Sequence, residues 1–291
     1  MASAVQKRQV KKMLISVTAP KKGMGQTITA INLGTMITKL IEEKILFVDI
    51  NRHYKDIELY LSDTHITKGL DDFCSLYHSG LLSQEAFNFC VKNIDDHIEI
   101  MGACECFEMN PEEVEVLTQY IKNSHNMAVI DTISGNHALS KAFFKQSDIL
   151  VVVINQMKNL IDSLSQHHVY RQHHDKIIFV LNKYIDKMQG NQVTYSFDQI
   201  QRDLKRQGFN RPVFTLDFDI ELINECNDQA VLNFVMANST SSYIKQLNDL
   251  AAYILKGGND EEPLDKKTAE APKKWFNIIP GCSRKTALME E

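Results

Sequence analysis

The 291-residue sequence predicts an α/β fold: a mostly parallel, twisted sheet with helices on both faces. Three observations carry that expectation. Short apolar runs recur along the chain at Met13–Val17, Ile45–Ile50, Ile98–Met101, Met127–Ile130, Ile149–Ile154, Ile177–Leu181 and Pro212–Thr215. Several are apolar throughout and rich in β-branched residues, as strands buried on both faces are. Segments of helical periodicity lie between them, among them Ile31–Ile41, Glu112–Ile121, Leu160–His168 and Phe197–Arg206. Strand and helix alternating in this way imply βαβ crossovers, and ligands of such sheets bind at the carboxyl ends of the strands.

The first run leads into Ala19-Pro20-Lys21-Lys22-Gly23-Met24-Gly25-Gln26-Thr27 and then a helix through Asn32 and Leu33. A glycine-containing turn between a strand and a helix N-terminus aims several backbone N–H groups into one hollow. The helix dipole adds partial positive charge there, which suits a phosphate. Thr27 stands where a hydroxyl would reach Mg2+. Taken alone, the same turn is also compatible with an ordinary βα connection using glycine for tightness. The second run ends Leu46-Phe47-Val48-Asp49-Ile50-Asn51. An acid at that strand end is placed to hold Mg2+ or a metal-bound water, although an isolated acid there can equally cap a turn. Met127–Ile130 ends in Asp131, followed by Thr132-Ile133-Ser134-Gly135, and a later strand closes with Leu181-Asn182-Lys183. That last tripeptide is by itself no more than a turn signal.

Together these segments resemble the MinD/ParA superfamily of P-loop ATPases, whose deviant Walker A box reads K-G-G-x-G-K-S/T. The resemblance spans about Met13 to Leu255. It implies that Lys21 is the signature lysine, reaching across a dimer interface to the partner's nucleotide. Gly23 and Gly25 match the second and third glycines, and Thr27 matches the Mg2+ hydroxyl. Lys21, Lys22, Gly23, Met24, Gly25, Gln26, Thr27 and Ile28 would surround the phosphates of ATP, with Asn182 against the adenine base. Asp131 resembles the Walker B aspartate, and the loop after it resembles the one that senses the γ-phosphate. Lys21, Asp49 and Asp131 would be catalytic, and Thr27, Asp49 and Asp131 would hold Mg2+. The stretch Asp217–Asn233 resembles the base-side loop and helix, without the usual proline.

Two positions lose charge. Gln26 replaces the lysine that pairs with the β- and γ-phosphates, and Asn51 replaces the second acid of the D-x-D pair; Lys22 in addition replaces the first glycine. A lysine ammonium about 4 Å from a phosphate oxygen contributes roughly 4 kcal/mol at an effective dielectric of about 20, before desolvation. Glutamine donates a hydrogen bond but supplies no charge. Phosphoryl transfer depends on charge stabilisation, so ATP hydrolysis is expected to be weak or absent. Within the superfamily, Asp56-Ile57-Glu58-Leu59-Tyr60-Leu61, Gly69-Leu70-Asp71-Asp72 and Ile100–Val116 look most like the CpaE/TadZ branch. That resemblance implies a homodimer that localises Tad-type pilus assembly, working with membrane-associated machinery. The alternatives are a slow ATPase of the MinD/FlhG type, in which Lys21 and Lys22 replace the missing charge, and a ParA-like DNA partition factor. A tyrosine-kinase relative is disfavoured because the C-terminal tail has no tyrosine cluster.

The remaining features bound the reading. Hydrophobic residues make up 44% of the chain, enough for one large core. The net charge of -5 counts against general avidity for DNA. Met1–Lys12 is too polar for a signal peptide and no apolar run is long enough to span a bilayer, so a cytoplasmic location is expected. The cysteines Cys74, Cys90, Cys104, Cys106, Cys226 and Cys282 are then reduced thiols. His167 and His174 could share a helix face, but no carboxylate or cysteine at a matching spacing makes a metal site of them. The expected organisation is an N-terminal extension over 1–12, an α/β domain over 13–256, and a linker with a basic and aromatic tail over 257–291. The tail's Lys273-Lys274-Trp275-Phe276-Asn277-Ile278-Ile279, stopped by Pro280, suits a partner or the inner face of a membrane.

Overall fold

A computed structural model of the chain describes residues 11–51, 56–61, 67–103, 108–188, 191–192, 195–237 and 240–258. In chain order the elements are β1 (Met13–Thr18), α1 (Gln26–Ile41), β2 (Ile45–Asp49), α2 (Asp56–Leu61), α3 (Leu70–His78), α4 (Gln84–Phe89), β3 (Lys92–Asn93) and β4 (Ile98–Met101). They continue with α5 (Pro111–Ser124), β5 (Met127–Asp131), α6 (Ala138–Gln146), β6 (Ile149–Ile154), α7 (Lys158–Ser163), α8 (His168–Gln172) and β7 (Ile177–Tyr184). The last are β8 (Lys187–Met188), β9 (Asn191–Gln192), α9 (Phe197–Arg206), β10 (Val213–Asp217), α10 (Ile220–Asn227), α11 (Val231–Met236) and α12 (Ser242–Leu255). Every apolar run became a strand. Eight strands form one sheet in the order β10-β7-β6-β1-β5-β2-β4-β3, and only the short edge strand β3 runs antiparallel to its neighbour. The fold class is the predicted one.

Side-chain alternation divides the core in two. Ile15, Val17, Phe47 and Val129 point to one face, and Leu14, Leu46, Val48, Ala128 and Ile130 point to the other. On the first face α1 lies between the sheet and the pair α11 and α12. From Thr29 to Thr38 it is buried on every side, so even Thr29, Asn32, Thr35 and Thr38 are enclosed. Helices keep such residues by bonding them locally or across: Thr29 Oγ1 and Thr35 Oγ1 donate back to Gly25 O and Ile31 O, and Asn32 Nδ2 donates to the Tyr243 hydroxyl. The second face carries α3, α4, α5 and α6, with Phe73, Phe87 and Phe143 at its centre.

Helical periodicity over Leu160–His168 does not produce one helix. The chain forms α7, a 3-10 turn over Leu164–Gln166, and then α8. Ser163 Oγ and Ser165 Oγ bond back to the carbonyls of Leu160 and Asp162, competing with the regular ladder. The break also corrects the shared helix face proposed for two histidines. His167 sits before α8 in extended backbone and His174 lies beyond its end, where its Nδ1 is 3.0 Å from Arg171 O. Cys104, Cys106, Cys282 and the tail around Trp275 lie outside the described residues. Cys74 and Cys226 are free thiols, and burial pushes the Cys74 thiol up to about 12. Among the described residues no helix is long and apolar enough to cross a membrane.

Candidate functional site: the phosphate-loop hollow

The site is built at the carboxyl ends of β1, β5 and β2, which are neighbours in the sheet. β1 passes through Ala19 and Pro20 into a turn that ends at Gly25, the N-cap of α1. Gly23 and Gly25 have φ of +83° and +85°, backbone that side chains with a Cβ rarely adopt. Gly25 has a second reason to be glycine, because an added Cβ would collide with the Asn182 amide. As a cap it offers no side-chain acceptor, and the first turn of α1 contains no acid. The amides of that turn have no partner within the helix, and the dipole's positive end is not neutralised by an acid of the first turn. An anion is the natural complement.

The acids stand beside it. β2 and β5 pair with Asp49 opposite Asp131, and both carboxylates are buried, 3% and 2% exposed. Asp49 Oδ1 accepts from Asn51 N at 2.9 Å and its Oδ2 from Ile57 N at 3.3 Å, so this acid also holds the first turn of α2. Asn51 itself is half-buried. Asp131 Oδ2 accepts from Thr27 Oγ1 at 2.6 Å. The hydroxyl and carboxylate named as Mg2+ ligands are therefore in direct contact, and their chemistry, two oxygen donors next to a third in Asp49, fits a hard divalent cation.

Gln26 is the residue whose placement sequence alone does not give. Its side chain is 7% exposed and turns inward. Nε2 lies within hydrogen-bond reach of Asp131 Oδ1 at 2.5 Å, Val17 O at 3.2 Å and Thr132 O, while Oε1 accepts from Ser134 Oγ at 3.0 Å. Thr132, Ser134 and the Val17 carbonyl thus join the site. Ser134 had a signal, since it falls in the loop after Asp131; a main-chain carbonyl has none. Lys21 and Lys22 are exposed, whereas Met24 is buried and Ile28 packs partly on the core. The last two can offer a ligand only their main chain. Asn182, 6% exposed, donates from Nδ2 to Met24 O at 2.9 Å and so props the loop from beneath.

No family model matches the chain, and no curated protein matches it by sequence. Solved structures do match. A ParA family ATPase from Chlorobium tepidum TLS superposes with a TM-score of 0.68 at 17% identity, over 84% of this chain and 99% of its own. The MinC:MinD cell division protein complex of Aquifex aeolicus gives 0.67 at 17%, over 87% and 99%. The septum site-determining protein MinD of Pyrococcus horikoshii OT3, complexed with Mg-ADP, gives 0.66 at 16%, over 90% and 100%. The chain has the MinD/ParA fold. Identities this low establish the architecture alone. Within the MinD/ParA fold, the turn from β1 to α1 and the acids after β2 and β5 occupy the end of the sheet where ligands of such folds bind.

Proposed function

We propose that the chain is a MinD/ParA-like ATP-binding regulator that places or assembles a larger apparatus, with hydrolysis weak or absent. The observation that carries this reading is Gln26: a neutral amide stands where the resemblance expects an ammonium, and it is committed to Asp131, Val17, Thr132 and Ser134. Mg-ATP would be held by the main chain of Gly23–Ile28, with Thr27, Asp131 and Asp49 toward the metal and Lys21 toward a second copy's nucleotide. When bound, the metal supplies the charge that draws electron density from the terminal phosphate. This chain's residues supply the rest: the uncapped first turn of α1 orients the phosphates, and Asn182 fixes the loop that carries them. Without a lysine ammonium, charge developing on the terminal phosphate has little to meet it.

The finer assignment follows the CpaE/TadZ resemblance: a homodimer that localises Tad-type pilus assembly, with the tail beyond Gly258 as a candidate contact to membrane-associated machinery. Calorimetric titration with Mg-ATP, together with phosphate release by the wild type and by Gln26→Lys, tests the core of the proposal. Heat of binding with little release, and faster release by Gln26→Lys, is the expected pattern. A wild-type rate equal to that of intact MinD-type ATPases would remove it. A slow ATPase is the second reading, favoured by the exposure of Lys21 and Lys22 on the loop; it requires Lys22→Ala to abolish nucleotide binding.

A further inference from the structure

We propose that Gln26 is a built-in latch that fixes the loop Thr132–Gly135 against the turn from β1 into α1. The inference deepens the reading of the hollow as a phosphate site and rests on it only for the identity of the ligand. A glutamine at the first residue of a helix, next to a surface loop, gains rotational freedom by extending into water. Here it is ordered by groups from three segments: Val17 O at the end of β1, Asp131 Oδ1 and Thr132 O at the end of β5, and the Ser134 hydroxyl in the loop beyond.

The amide's two ends explain why glutamine does this and lysine does not. The two N–H groups of Nε2 are shared among the Asp131 carboxylate and the carbonyls of Val17 and Thr132, while Oε1 receives from Ser134. An ammonium has donors alone, so a lysine would leave the Ser134 hydroxyl without that acceptor. Thr27 holds the other oxygen of Asp131, so the first turn of α1 holds both oxygens of that acid.

The loop is strapped at further points. Thr132 N and Oγ1 both donate to Val17 O, and Gly135 N donates to Ala19 O at 2.8 Å. Beyond it, Ser140 Oγ in α6 accepts from Ile133 N and donates to Ile133 O. Gln26 therefore begins a path that runs from α1 through the loop Thr132–Gly135 to Ser140 of α6. A cation drawing on Thr27 and Asp131 would have to compete with the latch, and freeing Gln26 also frees Ser134.

Amide hydrogen exchange of the nucleotide-free full chain tests this. In the wild type the amides of Thr132 and Gly135 should be protected. Gln26→Leu keeps the bulk and removes every bond, and should speed their exchange about tenfold, the effect of losing one or two net hydrogen bonds. Ser134→Ala removes one bond at a half-buried side chain and should speed exchange about threefold; it carries the test if Gln26→Leu does not fold. Rates equal to wild type in the variants that fold would overturn the latch. Because exchange is read without nucleotide, an absence of heat with Mg-ATP would remove the phosphate reading and leave the exchange result standing. Unchanged exchange alongside clear binding heat would do the reverse.

Discussion

The two ends of the sheet treat helix termini in opposite ways. At the amino end the chain supplies its own counter-charges to the carbonyl ends of α5 and α6. Lys12 Nζ donates to Lys122 O, Lys122 Nζ to Gln146 O, and Lys176 Nζ to Lys145 O and Ser147 O. Glu99 there is bound between His125 at 2.6 Å and Lys44 at 2.8 Å. At the carboxyl end the first turn of α1 has no side-chain cap and no acid of its own, and Asp131 is bonded there by the side chains of Gln26 and Thr27. At one end side-chain ammonium groups meet the helix carbonyls; at the other the first-turn amides of α1 have no cap from their own helix, and an incoming anion suits them.

Substitutions that disturb either end measure that contrast. The largest effect belongs to Gly25→Val, which forces a branched side chain into left-handed backbone and onto Asn182. A loss of about 3 kcal/mol or more in urea unfolding is expected, and under about 1 kcal/mol would contradict the placement of Asn182. Asn182→Ala removes the prop under Met24 O and should cost about 1–2 kcal/mol by the same measurement, while weakening any Mg-ATP heat. At the amino end, Lys176→Met should cost about 1 kcal/mol without altering that heat, because it strips a cap from α6. The smallest effect concerns acid. The hydrogen bond from His125, aided by Lys44 and opposed by burial, holds Glu99 below the usual glutamate value of 4.5. Its stabilisation is therefore present above that value and lost as pH falls through the lower folded one. About 0.5–1 kcal/mol should disappear there, and Glu99→Gln should flatten that part of the stability profile.

The strands were readable because a parallel sheet covered on both faces writes itself as unbroken apolar runs, Ile149–Ile154 being the plainest. The turn from β1 into α1 was readable because Gly23 and Gly25 follow an apolar run and precede a helical one. Three things were not. Local serine back-bonding broke the helix expected over Leu160–His168, and periodicity does not register such competition. Asn182 was expected at a base; its amide nitrogen is engaged with a carbonyl from residue 24, a contact across the fold that no local pattern encodes. Gln26 was noticed for the charge it lacks, while the network it builds depends on Val17 O and Ser134, whose approach only the folded chain creates.

α1 has one further consequence. The helix whose opening turn would receive a ligand is also the one wrapped by β-sheet on one side and by α11 and α12 on the other. Nothing binds at its tip without bracing the middle of the molecule. A small molecule that fits should raise the melting temperature of the entire folded unit in a single transition, which makes thermal-shift screening of phosphorylated compounds a direct way to find what this protein takes.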